Sequence, residues 1–351
     1  MTSSPAIPGS PVRQALVRLS RGARLDDALV AAAFAQVMRG EASPAEAAGL
    51  LMGLRVQGET ANEIAGAVRA LRAAMVRVAA ETGPVIDTCG TGGGTVPTFN
   101  VSTAAAFVAV AAGARVAKHG NRSHTSRCGS ADLMEALGID LMIDADRAAA
   151  LLERAGMAFL FAPAFHPAMK HLGPVRHALG VPTIMNLIGP LVNPAGVTRQ
   201  VIGVADAERA PVIAAALARL DMEHALVVHA AVGMDEIAPS GPTLVWEVRG
   251  DRVDATQLDP ASIGLAHDDL AALAGGEPAE NADRVRRLFE RPDDDPAGFA
   301  AVALNAGAAI YVAGLADDLR AGTERAVDAM RRGAAAEALE RLVREGGVST
   351  S

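Results

Sequence analysis

Residues 85 to 113 read VIDTCGTGGGTVPTFNVSTAAAFVAVAAG, and few folds accommodate such a stretch. A short aliphatic run ends in four glycines between Gly90 and Gly94, and an alanine-rich apolar segment with helical character follows. Strand, glycine loop and helix in that order open an α/β unit. Glycine permits a positive φ and brings a ligand close to backbone amides without a Cβ in the way. The free N–H groups at the start of the following helix suit an anion. GTGGG matches neither the dinucleotide fingerprint nor the P-loop. The loop alone therefore leaves a tight strand-to-helix turn and a phosphate cradle both open. In NVST, Asn100 to Thr103, an amide and two hydroxyls fall at the helix start, and Ser102 or Thr103 could equally be a helix cap.

Further short aliphatic runs follow in RVAKHG, MAFLFAP, RQVIGVA, HALVVHA and TLVWEVRG. Helical stretches are expected near 131–137, 146–155 and 207–220. This alternation predicts a mainly parallel central sheet covered by helices. GFAAVALNAGAAIYVAG reads as a buried helix and residues 317 to 345 as one amphipathic helix, with Asp293 to Asp295 as a solvated turn. Ahead of the sheet, Arg13 to Val78 have helical periodicity. SPAE at Ser43–Glu46 and TANE at Thr60–Glu63 are capping boxes, and Ile64, Val68, Leu71 and Met75 recur at helical spacing. The expected architecture is α/β, with a small helical domain and a larger α/β domain.

Chemistry gathers where the strands end. Lys118 and His119 close RVAKHG, and Gly120, Asn121, Arg122, Ser123, Thr125, Ser126 and Ser130 follow, most of them donors. Lys118 is a point charge suited to a phosphate, or a solvated surface lysine. Asp235 and Glu236 follow HALVVHA. Adjacent carboxylates exposed at a strand end can hold Mg²⁺, or can be surface charge with little packing.

The chain has 351 residues, half of them hydrophobic, so it can bury a large core without staples. A net charge of −8 argues against a general nucleic-acid binder. One Trp and one Tyr make a base-stacking platform improbable. Cys89 and Cys128 are too few for a disulfide framework and suggest a reducing compartment. No apolar run reaches the ~20 residues of a membrane span. A soluble cytoplasmic protein is expected, with no nucleic-acid or membrane partner.

Taken in order, GTGG, TFNVSTAAAF, VAKHGNRS, CGSADLMEALGI, FAPAFHPAMK, PVRHALGVPTIMNLIGPLVNPAG and HAAVGMDEI resemble the anthranilate phosphoribosyltransferases. The resemblance runs from about residue 40 to 315. It implies the nucleoside-phosphorylase-like phosphoribosyltransferase fold, with a helical domain over 1–84 completed by a segment near 170–197, and an α/β domain over 85–351. It implies transfer of the phosphoribosyl group of 5-phosphoribosyl 1-diphosphate to the amine of anthranilate, in tryptophan biosynthesis, and a homodimer through the helical domain. The diphosphate substrate falls to Gly90, Gly93, Gly94, Thr98, Asn100, Val101, Ser102, Thr103, Lys118, His119, Gly120, Asn121, Arg122, Ser123, Thr125, Ser126 and Ser130. Anthranilate falls to Gly90, Asn121 and Arg176, with His119 and His166 along its channel. Mg²⁺ falls to Ser102, Asp235 and Glu236. No catalytic base is assigned. By themselves, Arg176 reads as a surface arginine and His166 as a packed or capping histidine.

This chain departs from the family pattern at Gly94, where Asp is common, at Pro182 and Met185 in VPTIMN, and at Arg127, where Lys is common. The rival readings are a pyrimidine nucleoside phosphorylase and a non-catalytic nucleic-acid-binding relative of the same fold.

Overall fold

The computed structural model describes residues 9–80, 83–123 and 126–347. The chain begins with four helices, α1 (Pro11–Ser20), α2 (Asp27–Met38), α3 (Pro44–Gln57) and α4 (Ala61–Ala74). Both expected capping boxes form. The Glu46 carboxylate accepts the Ser43 amide at 2.9 Å, and that of Glu63 accepts the Thr60 amide at 2.8 Å. Glu63 is fully buried and also accepts the Leu25 amide, so the cap ties α4 to the turn before α2.

The sheet follows, with strands β1 (Ile86–Gly90), β2 (Val116–Gly120), β3 (Met157–Phe161), β4 (Arg199–Gly203), β5 (His224–Ala230), β6 (Thr243–Arg249) and β7 (Arg252–Leu258). Their order is β3-β2-β1-β4-β5-β6-β7. The first five in that order run parallel, β6 runs antiparallel to β5, and β7 runs antiparallel to β6. The chain winds outward from β1 through β2 to β3, then returns to lay β4 on the other side of β1. Such a reversal opens a crevice at the carboxyl ends of the central strands, where ligands of α/β sheets bind.

Helix α5 (Val101–Ala111) joins β1 to β2, and α6 (Ser130–Ala136) and α7 (Ala145–Arg154) lead to β3. The connection from β3 to β4 carries four short segments: α8 (Ala162–Phe165), a 3₁₀ turn at Pro167–His171, α9 (Gly173–Leu179) and α10 (Ile184–Ile188). Helix α11 (Ala210–Leu217) precedes β5. Four helices end the described chain: α12 (Pro278–Glu290), α13 (Pro296–Val312), α14 (Leu319–Arg331) and α15 (Ala334–Gly346).

Alternation along the strands divides the core in two. Val201, Leu226 and Val228 face a core shared with α5, α13 and α15. Their neighbours Ile202, Ala225 and Val227 face a second core, which contains the apolar sides of α1 to α4 together with Leu172, Val175, Ile184 and Ile188 of the β3–β4 connection. The N-terminal helices thus cover one face of the sheet through a continuous apolar layer.

Three readings of the sequence change. β7 went unread because its RVDATQL run is polar and mostly exposed, as befits an edge strand. The expected helix over 317–345 is two helices, because Gly333 takes φ +73° between α14 and α15. Asp295 is not a solvated turn residue: its carboxylate accepts the Gly298 amide at the start of α13 and two guanidinium N–H groups of Arg284, at 2.7 and 3.0 Å. Asp293 and Asp294 are exposed, as expected.

Candidate active site

The crevice lies at the ends of β1, β2, β4 and β5. After β1 the chain passes through Gly92 and Gly93, with φ +68° and +84°, and a Cβ at either position would meet nothing within 4 Å. Their backbone turns over open space, which is what a cradle for a ligand requires. Gly90 and Gly94 have a different reason to be glycine. A Cβ on Gly90 would lie 2.6 Å from the Asp235 carboxylate, and one on Gly94 would lie 3.0 Å from the Gly233 carbonyl. Gly203, at the end of β4, is tighter still, its Cβ position 1.5 Å from the Asp235 carbonyl. These glycines let the segment carrying Asp235 and Glu236 lie directly on the strand ends. The signal for Gly203 was present in RQVIGVA, a strand ending in glycine.

The two carboxylates are not the exposed, loosely packed pair expected from the sequence. Both are only partly accessible and point into the loop. Asp235 accepts the Gly92 amide at 2.8 Å, and Glu236 accepts the Ser102 amide at 3.1 Å. The Thr98 hydroxyl bonds to Glu236 as well. The second oxygen of Glu236 is buried without a hydrogen-bond partner. Burial, and then the neighbouring charge of Asp235, push the Glu236 carboxyl up to about 8, and burial raises Asp235 too. A narrow cavity, with room for about one water, is lined by Thr88, Ser102, Asp235, Glu236 and Asn305.

Lys118 is neither a surface charge nor a freely projecting one. It is 1 % exposed, and its Nζ donates to the Thr88 carbonyl and to Ser102 Oγ, the latter at 3.5 Å. Burial lowers its pKa, and Asp87, Cys89 and Glu236 oppose that shift. The ammonium therefore sits beneath the cradle, within reach of its Ser102 wall.

The remaining candidates divide. Val101 and Thr103 are fully buried in the first turn of α5, so their side chains face the core. The helix begins at Val101 after Asn100, and neither Ser102 nor Thr103 is its cap residue. Asn100 donates to the Cys128 carbonyl and accepts from Asn281, both at 3.1 Å. Gly120 is demanded by packing, since a Cβ there would lie 2.2 Å from Ser130 Oγ and 2.7 Å from the Phe159 ring. Ser130 Oγ donates to the Asn121 carbonyl. The Asn121 side chain accepts the Arg122 amide at 2.8 Å. Arg122 is not a free phosphate donor: its guanidinium is committed to Asp132 at 2.7 Å and Glu135 at 2.9 Å. Ser123 Oγ accepts the Ser126 amide and hydroxyl, each at 2.7 Å. Thr125 lies outside the described residues.

On the other side of the crevice, His119 and His166 are buried with ring centroids 5.1 Å apart. Each ring lies against a carbonyl of the β3–β4 connection that favours its protonated form, that of Gly189 for His119 and that of Val192 for His166. Each Nε2 has no partner. Burial, reinforced by the neighbouring His166, lowers His119 to about 3, and burial lowers His166 to about 4. Both rings are therefore neutral near pH 7, with unpartnered nitrogens. Arg176, on α9, is half-buried, and burial lowers its pKa. Eighteen ion pairs form among the described residues, and Arg176 is in none of them. A desolvated guanidinium without a carboxylate is suited to one that arrives with a ligand.

The described residues contain no group of three or more His, Cys, Asp or Glu side chains able to hold a metal ion. Two carboxylates and a hydroxyl still suit Mg²⁺, which favours oxygen and fills its shell with waters and substrate phosphates. The unpartnered Glu236 oxygen and the raised pKa values of the carboxylates fit that cation, since both mark carboxylates whose ionised form their surroundings leave under-compensated.

Comparison with known proteins now gives the class. Residues 82–336 match the glycosyl transferase family, a/b domain, and residues 13–75 the helical bundle domain of the same family. Curated relatives narrow it. The anthranilate phosphoribosyltransferase of Roseiflexus castenholzii is 45 % identical, over 95 % of this chain and 98 % of its own. That of Rubrobacter xylanophilus is 46 % identical, over 95 % and 97 %. Among solved structures, the Thermus thermophilus anthranilate phosphoribosyltransferase matches with a TM-score of 0.89 at 42 % identity, covering 96 % of this chain and 99 % of its own. The Saccharomyces cerevisiae protein, solved in complex with PRPP and Mg, matches at 0.84 and 27 % identity, over 95 % and 97 %. The chain belongs to the anthranilate phosphoribosyltransferase family.

Proposed function

We infer that this chain joins the amine of anthranilate to C1 of 5-phosphoribosyl 1-diphosphate with release of pyrophosphate, a step of tryptophan biosynthesis. The observation that carries the reading is the Asp235–Glu236 pair, with one Glu236 oxygen unpartnered, lying on an open glycine cradle at the switch point of the sheet.

The cradle formed by the backbone of Gly92 and Gly93 holds the diphosphate end, and the Thr98 and Ser102 hydroxyls complete its wall. Lys118 biases the wall towards anions from below. Asp235, Glu236 and the Ser102 hydroxyl would hold Mg²⁺, which supplies charge neutralisation for departing pyrophosphate. As the bond to pyrophosphate lengthens, positive charge develops on the ribose. Anthranilate enters from the side of α9, where Arg176 pairs with its carboxylate. The amine of an aniline is uncharged at neutral pH, so orientation matters more than a strong base. The unpartnered Nε2 atoms of His119 and His166 suit that role, because neutral rings with free lone pairs accept N–H groups.

We assign residues 1–84 with 170–197 to the helical domain and 85–351 to the α/β domain. We also place the protein in the cytoplasm as a homodimer through the helical domain. Among the described residues no helix is long and apolar enough to cross a membrane.

The test is to mix the protein with anthranilate, phosphoribosyl diphosphate and Mg²⁺ and follow anthranilate fluorescence. A fall that depends on all three components supports the reading. No fall, with phosphorolysis of a pyrimidine nucleoside instead, would replace it with the phosphorylase. No fall, with salt-dependent binding to DNA, would replace it with a nucleic-acid-binding protein.

A further inference from the structure

Beneath the crevice, side chains from three separate stretches of chain meet around one carboxylate. Asp87, on β1, is fully buried. One of its oxygens accepts the His119 backbone N–H at 3.2 Å. The other accepts the amide of Asn193 at 2.8 Å and that of Gln200 at 3.3 Å. Asn193 stands at the end of the GPLVN turn that follows α10. Its Nδ2 donates to the Ala117 carbonyl as well, and its Oδ1 accepts the Ala195 amide, both at 2.8 Å. Gln200, on β4, reaches back to the Pro190 carbonyl at 2.7 Å. Asn193 and Gln200 are at most 2 % exposed.

The turn is therefore fastened at two points, Pro190 and Asn193, to strands β1, β2 and β4. Two of its other carbonyls lie against the histidine rings, that of Gly189 beside His119 and that of Val192 beside His166. The position of the turn therefore bears on how each ring sits, with its Nε2 left free. The same turn is the direct continuation of the segment bearing Arg176. Packing does not require such a node. Replacing a buried ionic group with apolar side chains of the same volume is often neutral or stabilising. A charged, directional node allows one arrangement of the turn where an apolar contact would allow several.

We propose that Asp87, Asn193 and Gln200 form a positioning clasp that holds the 189–193 turn, and with it His119, His166 and the Arg176 segment, in register with the diphosphate cradle at the ends of β1 and β2. The clasp touches neither substrate and acts through the residues it holds. It rests on the reading of that side of the crevice as the anthranilate side.

The experiment uses the full-length protein with Mg²⁺ and steady-state kinetics in which each substrate is varied in turn. Asn193→Ala and Gln200→Ala each remove the contact to Asp87 together with at least one bond to backbone, and each should raise the KM for anthranilate by about tenfold or more and leave the KM for phosphoribosyl diphosphate nearly unchanged. Asp87→Asn sets amide against amide, and Asn193→Asp sets carboxylate against carboxylate, so each alone should be impaired. The combined D87N/N193D exchange restores one donor facing one acceptor between the two positions, though the carboxylate at position 193 no longer donates to the Ala117 carbonyl and the amide at position 87 now faces the Gln200 amide, so it should recover part of the anthranilate KM. Equal effects of Asn193→Ala and Gln200→Ala on both substrates, or an exchange no better than its worse single variant, overturns the clasp; Asp87→Asn is not read for substrate bias, because Asp87 also compensates the Lys118 charge. Should Asn193→Ala fail to fold, Asn193→Ser is read in the same way. If no clasp variant folds, the node determines the fold only and the proposal fails. A wild-type protein that does not consume anthranilate would instead sink the functional reading, before any variant is made.

Discussion

Glu236 should weaken the fold it belongs to. Its carboxyl is raised from an ordinary 4.5 to about 8, first by burial and then by the charge of Asp235. Between those pH values the unfolded chain releases this proton and the folded chain keeps it. Stability from this group is therefore fully present below pH 4.5, declines as pH rises, and is lost above about pH 8. At about 1.4 kcal/mol per unit, the shift sets a ceiling of about 5 kcal/mol. The side chain is partly accessible, and screening by water brings the expected effect down to roughly 2 kcal/mol. Glu236→Gln removes the titration and keeps the shape, and its amide can still accept the Ser102 N–H. In urea unfolding with a chelator present, the variant should match the wild type near pH 4.5 and exceed it by that amount at pH 9. Adding Mg²⁺ at pH 8 should stabilise the wild type and not the variant, because a cation bound only by the folded state adds its binding free energy. A variant no more stable than wild type at pH 9, or a gap that does not change with pH, would show that the carboxylate is not held against its own charge.

Other perturbations separate the two sides of the crevice. Gly93→Val places a β-branched residue at φ +84°, and calorimetry should show phosphoribosyl diphosphate binding lost while the circular dichroism stays native; normal binding would make the glycine a turn residue only. Arg176→Ala should raise the KM for anthranilate about ten- to a hundredfold, as expected for a lost charge-assisted contact, and leave that of the diphosphate substrate nearly unchanged; equal effects would assign Arg176 to closure of the crevice. Asp295→Ala removes both Arg284 contacts and the cap of α13. It should destabilise the protein by about 1–2 kcal/mol in thermal unfolding, and no loss would return Asp295 to the solvent.

The sequence revealed what local chemistry writes into it. The capping boxes at Ser43 and Thr60, the apolar strands β1 to β6 and the glycine loop all have short-range signatures, and each formed where those signatures place it. Strand β7 has no such signature, because an exposed edge strand has no apolar face to alternate. The break at Gly333 was hidden by amphipathic periodicity on both sides of it. Within the site, the residue types were legible and their commitments were not. Arg122 reads as a phosphate donor until α6 brings Asp132 and Glu135 within 3 Å. Asn100 reads as a ligand until Asn281, far along the chain, takes its oxygen. Lys118 and the Asp235–Glu236 pair read as phosphate and Mg²⁺ ligands or as surface charge, and only the sheet order shows that they lie together under one loop. The buried node of Asp87, Asn193 and Gln200 had no local signal, since each of its bonds crosses between stretches that only the folded sheet makes neighbours.

The distribution of charge across the crevice follows the chemistry of two unlike substrates. On the cradle side the ionised form of Glu236 is under-compensated, with one oxygen unpartnered and the carboxyl pushed up to about 8. A polyanionic sugar diphosphate alone gains nothing from these carboxylates, whereas the same molecule carrying a divalent cation draws them into their ionised form and is held by them. On the opposite side the excess is cationic and acceptor-rich, with an unpaired Arg176 and two neutral imidazoles whose Nε2 atoms face no donor. That combination suits a molecule with a carboxylate at one end and an uncharged N–H donor near it, and it disfavours an ammonium group, which would meet the guanidinium charge. The two halves would bind poorly if exchanged. Discrimination between the substrates thus arises from which charge each layer leaves uncompensated, and the turn between Gly189 and Asn193 is the part of the chain that keeps the two layers facing one another.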